Sequence, residues 1–349
     1  MKPLKLKVRF LTPAFLGDAE QKGVWRVPPF KAQLRYWWRF VYAASQNHGV
    51  DIERMRQAEG ELFGAASGGS GYASKVRMRL DCWRVGNLEK WDSAKYGAIS
   101  HPEVGRSVSA DLYLGYGPLT YDKKTKTTAM ATAYAIDAGQ SAWLKMACPN
   151  CSAEQYQQLY AALALMHHFG QVGSRSRNGW GSYVLEEGLP DFDFDLQPFV
   201  RNWQKALELT WPHAIGQDEN GPCIWETAPF SPEKWPELMH QFADLKVNLR
   251  ILFPFYKANT NKVEMRHWLS YPITHHMVKS KSWRQRRIPN TLRFKVVKTE
   301  DGKIKGRLLH TPCRPDFSQQ SDLGEIEEVW RKVYQFLDQR AELKRVQQV

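Results

Sequence analysis

The run from Ala153 to Phe169 constrains this chain's fold more than any other stretch. Ser152 followed by Gln155 has the form of a capping box, so a helix opens there. Its centre, Ala161 to Met166, is apolar all round, and a helix of that kind has to be buried on every side. Next comes Phe169-Gly170-Gln171-Val172-Gly173-Ser174-Arg175-Ser176-Arg177-Asn178-Gly179-Trp180-Gly181-Ser182, with four glycines within twelve residues, and then a strand pattern at 180–186. Glycine reaches backbone angles that other residues avoid, so successive N–H groups in such a segment can converge on an anion. Arg175 and Arg177 would add charge-assisted contacts to a phosphate there. The segment is not a Walker A loop, since no Gly-Lys-Ser/Thr follows. It is not the dinucleotide fingerprint either, because helix precedes and strand follows.

The elements before that helix are a strand, a loop and a helix. Leu4, Leu6, Val8 and Phe10 alternate with Lys5, Lys7 and Arg9, the period of a strand with one buried face. Thr12-Pro13 ends it, and residues 12–29 read as a loop with Pro28-Pro29 at its close. From Phe30 to about Asn47 the spacing is helical: Leu34, Trp37, Trp38 and Val41 fall on one side, Lys31, Arg35 and Arg39 on another. A second helix at 51–62, a flexible loop from Gly64 to Gly71 and a strand at 74–85 follow. Strand-like runs at 104–116 and 128–148 flank a basic loop at 117–127. The order β, α, several β, α, β is a ferredoxin-like (split βαβ) plan with insertions.

The chain's 349 residues suggest about two domains. Residues 188–200 read as a linker, and Asp191-Phe-Asp193-Phe-Asp195 within it begins like a calcium loop. It lacks the glycine (Leu196) and the glutamate (Asn202) that such a loop needs. Beyond it, Val247, Leu249, Ile251 and Phe253 predict a strand at 246–256. Strands at 291–297 and 303–309 follow, and a closing helix at about 322–346. The expectation is an α+β chain of two tandem ferredoxin-like (RRM-like) domains with insertions, residues 1–190 and 191–349.

Charge points to the partner. Lys and Arg number 49 against 36 Asp and Glu, a net charge of +13, and 14 Trp, 14 Tyr and 16 Phe accompany them. Cations for phosphates and flat rings for bases are what a single-stranded nucleic acid needs. The densest block runs from Lys279 to Lys298, with eight Lys or Arg, no acid, and Trp283 inside it as a stacking ring. The first helix, with two prolines at its start and Lys31 in its first turn, is a second place for a phosphate.

Catalytic and metal patterns fail. Cys148-Pro149-Asn150-Cys151 has no second local pair for zinc, and His167-His168 and His275-His276 are adjacent pairs that cannot ligate one metal from one helix face. No Gly-x-Ser-x-Gly or His-Glu-x-x-His occurs. Mean hydropathy is −0.53 and no apolar run approaches the ~18 residues of a membrane span. Charges alternate through the N-terminus, so the expectation is a soluble cytoplasmic protein with five reduced cysteines, no cofactor and no membrane contact.

Thr12-Pro13, Phe15-Leu16-Gly17, Arg26, Pro28-Pro29 and Lys31-Ala32-Gln33-Leu34-Arg35-Tyr36-Trp37-Trp38-Arg39 together resemble the RAMP superfamily of CRISPR-associated RNA-binding proteins. Within it the pattern is most like the first subunit of the Cmr (type III-B) effector complex. Glu61-Leu62-Phe63-Gly64, Ser74-Lys75-Val76-Arg77 and Tyr113-Leu114-Gly115-Tyr116-Gly117 fit the same pattern, and the glycine-rich segment is similar to the superfamily's signature loop. Ala32, Gln171 and Asn178 depart from it, as does Arg286-Arg287-Ile288-Pro289-Asn290 where Arg-x-x-Ser-Pro is expected. The resemblance implies a non-catalytic subunit that binds guide RNA (crRNA) and single-stranded target RNA beside other RAMP subunits. Lys31, Arg35 and Arg39 would anchor phosphates. Gly173, Ser174, Arg175, Arg177, Gly179 and Gly181 would form the cradle, and Arg284, Arg286 and Arg287 would extend the basic track. The alternative is a RAMP-type, metal-independent endoribonuclease that processes guide RNA, for which His48 is the candidate near the first helix.

Overall fold

The computed structural model describes residues 3–66, 71–190, 194–254, 262–273 and 276–348. Asp191, Asp193, His275 and part of the Gly64–Gly71 loop lie outside the described residues. The first half begins with β1 (Leu4–Phe10), α1 (Pro28–Ser45), α2 (Ile52–Phe63) and β2 (Arg77–Leu80). An insertion follows: β3 (Ala98–His101) and β4 (Arg106–Ser109) as one hairpin, α3 (Ala110–Gly115), then β5 (Leu119–Asp122) and β6 (Thr127–Met130) as a second. β7 (Ser141–Ala147), α4 (Ala153–Phe169) and β8 (Tyr183–Glu187) complete it. The sheet order is β2-β7-β1-β8, antiparallel throughout.

A small sheet of β9 (Val200–Asn202), β10 (Ile215–Asp218) and β11 (Gly221–Pro222), with α5 (Trp203–Ala206) after β9, bridges to the second half. That half runs β12 (Ile224–Thr227), α6 (Trp235–Ile251), α7 (Met265–Leu269), β13 (Leu292–Lys298), β14 (Ile304–His310), α8 (Leu323–Asp338) and β15 (Leu343–Arg345). Its sheet order, β13-β14-β12-β15, repeats the first: each sheet has its second, third, first and fourth strands side by side. The chain is thus a mixed α/β protein with two antiparallel four-stranded sheets.

Packing stacks the two halves. On the inner face of the first sheet, Leu6, Val8 and Phe10 lie on α1 and α4, where Phe30, Leu34, Trp37 and Leu163 are fully buried. Each such side chain contributes about 1.5–3 kcal/mol. The far side of these helices meets the second sheet: the Arg293 guanidinium lies 4.4 Å over the Tyr36 ring, and Arg307 lies 5.5 Å over Phe169. This explains why α4 is apolar all round; it has a sheet on each side. α6 and α8 cover the second sheet's other face, with Phe242 against Phe294 and Trp330 stacked on His310 at 3.8 Å.

Several expectations needed correction. Of the strand expected at 246–256, residues 246–251 are the C-terminal end of α6, and 255–256 lie outside the described residues. Alternation through Leu245, Val247 and Leu249 arises because α6 packs on α3 and β3 of the insertion as well as on β13 and β14, so more than one side is buried. The closing helix stops at Asp338, eight residues early. No glycine or proline marks the stop; Leu343–Arg345 leaves the helix to pair with β12, and Arg345 pins the turn with an ion pair to Asp338 at 2.9 Å. The run at 104–116 contains α3 after a four-residue strand, and the basic loop at 117–127 is largely the β5–β6 hairpin. The capping box at Ser152 and Gln155 is present.

Candidate nucleic-acid interface

The predicted cations fall into three sets on different elements. On α1, Lys31 Nζ donates to Ser74 Oγ at 2.7 Å, and burial, with Arg35 beside it, lowers its pKa. Arg35 and Arg39 both pair with Glu59 of α2, which is 2 % exposed; Arg39 Nη2 lies 2.8 Å from Glu59 Oε1. These arginines therefore neutralise a buried carboxylate while their outer edges stay in solvent.

The glycine-rich segment is the seam between the halves. Phe294 N donates to Arg177 O at 3.0 Å, Gln171 Nε2 to Phe294 O at 2.6 Å, and Val296 N to Ser182 Oγ at 3.0 Å. The fully buried Trp180 sits in the cluster formed by insertion residues Tyr96 and Leu114 and by Leu238 and Phe242 of α6. Gly179 has φ +97°, and a Cβ there would lie 2.8 Å from Met239 Sδ; at Gly181 it would meet Val172 O. The amides of Ser174, Asn178, Gly179 and Gly181 donate to Phe15, Arg175, Ser176 and Pro13 carbonyls. Gly173, with φ +96°, brings the backbone against Phe15 O.

Only part of the segment faces outward. Ser174 and Arg175 are exposed and rim an open cleft of about 340 Å³ with Gln21, Gly117 and Tyr134. Arg175 Nε donates to Tyr116 O at 2.6 Å, and the Tyr116 ring is 59 % exposed. Arg177 is half-buried and donates to Asn290 O at 3.3 Å. Behind the loop, Lys246 of α6 donates to Asn178, and burial, with Arg250 and Arg175 nearby, holds its ammonium down to about 7. Lys246 was invisible at sequence level because it lay within the expected strand, and Tyr116 stood out only within the family pattern.

The third set divides. Lys279, Lys281, Arg284, Arg286 and Arg287 are exposed, and among the described residues none has an ion-pair partner. Arg286 lies 5.2 Å over the Phe317 ring. Trp283, expected to offer its ring to a base, is instead buried against Trp268, Tyr271 and Phe317. Arg293 and Lys295, counted in the same basic run, are buried as well. Lys295 Nζ donates to the carbonyls of His167, Gly170 and Tyr183 at 3.0, 2.7 and 2.9 Å, capping the C-terminal end of α4.

Lys295 also lines a cleft of about 410 Å³ with His167, His168, Lys298, Lys305 and Arg307. Its charges are spoken for: Glu226 pairs with Lys305 and Arg307, and Glu186 with Lys298. Burial, with neighbouring cations, holds His167 down to about 4 and His168 to about 2, so both imidazoles are neutral at pH 7. His48 is half-buried with its ring 6.0 Å from His213, and burial lowers its pKa too. Burial pushes the Cys148 thiol up to about 12, and no group of three or more metal-ligating side chains occurs among the described residues. Among the described residues no helix is long and apolar enough to cross a membrane.

The RAMP superfamily model matches residues 7–184, from β1 through the glycine-rich seam into β8. This chain is a member of the RAMP superfamily. Among solved structures it is similar to Cmr1 from Pyrococcus furiosus, at 16% identity, 89% of this chain, 88% of that one and a TM-score of 0.46. It is also similar to a chain of a type III-B Cmr-beta assembly bound to cognate target RNA, at 11% identity, 95% and 99% coverage and a TM-score of 0.43. A chain of a type IV-B CRISPR complex is similar at 11% identity over 56% of this chain and 93% of that one, with a TM-score of 0.33. No curated protein matches the sequence.

Proposed function

We propose that this RAMP protein is a non-catalytic, cytoplasmic RNA-binding subunit of a type III-B (Cmr-like) CRISPR ribonucleoprotein. In that role it caps the 3′ end of the guide RNA, helps hold target RNA, and packs beside other RAMP subunits. The repeated strand order supports reading it as two tandem ferredoxin-like domains, 1–190 and 191–349. The family pattern through Thr12-Pro13 and Trp37-Trp38-Arg39 supports the choice of subunit.

The observation that carries the proposal is the exposed arm at Lys279–Arg287, five cations with no ion-pair partner among the described residues, on a chain of this family. Arg175, exposed at the rim of the cleft it shares with Gln21, Gly117 and Tyr134, offers a further cation. Acid–base cleavage needs a group that exchanges a proton near neutral pH. His167 and His168 are held far below that range, which argues against these two as its acid or base. The test is purification from the native host followed by sequencing of bound RNA. Guide RNAs whose 3′ ends are protected by this subunit support the proposal; a preparation free of RNA, or one that cleaves repeat RNA in a His48-dependent way, contradicts it.

A further inference from the structure

The layers end on one open surface. The first sheet buries Leu6, Val8 and Phe10 against α1 and α4, so the alternate residues of β1, β7 and β2 face away from the body of the protein. Register places Arg79, Lys145 and Lys5 in one row across three adjacent strands: Arg79 opposes Lys145, and Lys145 opposes Lys5. Arg77 stands two residues along β2 on the same side. All four are exposed, and none has an ion-pair partner among the described residues. Like charges directly opposite across strands repel, so the row is held at a cost to the fold. On the β8 side, by contrast, Glu186 and Glu187 pair with Lys7 and Arg9. Asp81, the residue after β2, accepts the Trp143 backbone N–H.

Two rings accompany the row. Lys5 Nζ lies 4.0 Å from the centroid of Trp143, which sets the position of that ammonium. Three residues beyond β2, past a bend at Asp81, Trp83 is 78 % exposed, the most exposed large apolar side chain described, while its neighbour Cys82 packs on the core.

We infer that the outer face of the first sheet is a second binding surface for single-stranded nucleic acid, with phosphates along Arg79, Lys145 and Lys5 and a base on Trp83. Unpaired cations alone would suit an acidic protein equally well. A free ring beside them is what a base requires. The inference rests on the RNA-binding reading above, but at a surface that shares no residue with the α1, glycine-loop and 279–287 sets.

The test uses the full chain and a labelled single-stranded 20-mer of uridine, with affinity read by fluorescence anisotropy over a salt series. The variant Lys5→Gln/Arg79→Gln/Lys145→Gln should bind at least tenfold more weakly. Its slope of log affinity on log salt should shrink by about 2, at about 0.7 per phosphate lost. Its melting temperature should be no lower than wild type, because repulsion has been removed. Trp83→Ala should weaken binding at unchanged salt slope, and ultraviolet crosslinking should place RNA on the 77–85 peptide. Wild-type affinity in the triple variant overturns the inference and leaves the RNA reading intact. A wild-type chain that binds no RNA overturns both. Weakened RNA binding in the triple variant with no effect of Trp83→Ala, together with equal competition by polyglutamate, assigns the face to an acidic protein and also overturns the inference.

Discussion

The two sheets share a strand order and carry similar numbers of cations, yet the cations meet opposite fates. In the first sheet, Lys5, Arg77, Arg79 and Lys145 stand in solvent without partners. In the second, Arg293, Lys295 and Arg307 are buried, and each is satisfied by rings, carbonyls or Glu226. The difference lies in the layering. The second sheet is sandwiched between α1 and α4 below and α6 and α8 above, whereas among the described residues the first has helices on one face only. A lysine in a strand is a surface contact or an internal clamp according to what its face packs on, and the residue type alone does not distinguish them.

The sharpest way to break this contrast is Lys295→Met. Two carbonyls at the end of α4 and that of Tyr183 in β8 would lose their donor, and stability should fall by about 3 kcal/mol in urea denaturation, while Lys145→Gln on the open sheet should change it by about 0.5 kcal/mol or less. Equal costs would mean that the two sheets are not differently covered. Gly179→Val comes next. A β-branched residue at φ +97° against Met239 and Phe242 should cost about 2 kcal/mol and loosen the seam, read as a lower melting temperature.

The same seam changes what Arg175→Glu with Arg177→Glu is expected to do. Both side chains hold carbonyls, of Tyr116 and Asn290, so the double variant should lose stability as well as RNA affinity. A cleaner probe of binding is Arg284→Glu/Arg286→Glu/Arg287→Glu. It should melt within about 0.5 kcal/mol of wild type and bind single-stranded RNA more than tenfold more weakly, a loss above about 1.4 kcal/mol.

The smallest expected effect is a pH dependence. Lys246 is held at about 7 in the folded chain, against an ordinary value of 10.5. Between those values the unfolded chain binds the extra proton, so stability rises with pH across that window and is flat below it. Between pH 7 and pH 9.5 the wild type should gain on the order of 1 kcal/mol relative to Lys246→Met, after discounting for partial exposure. Parallel pH profiles in urea would show that the ammonium is not desolvated.

Much of the first half could be read in the sequence because its signals are local. β1 alternates cleanly, α4 carries its own capping box, and the strand, loop and helix order is continuous. The second half misled where burial on more than one side erased the period, as along Leu245, Val247 and Leu249 in α6. It misled again where a helix end had no glycine or proline to mark it, as at Asp338. At the candidate site, the charge of the 279–298 run was legible but its division was not. Whether Trp283 and Lys295 turn inward depends on Phe317, on Trp268 and on the carbonyls at the end of α4, all distant in sequence or on other elements. The row Arg79–Lys145–Lys5 was equally hidden, because it exists only through the pairing register of three strands.

RNA binding by a surface of unpaired cations makes one measurement decisive: the affinity of the purified chain for single-stranded RNA as salt is raised, with the RNA recovered and sized afterwards. The account predicts a steep linear fall of log affinity with log salt, by about 0.7 per phosphate contacted, and full-length RNA at the end. Salt-independent affinity, or RNA returned as specific fragments, would contradict it.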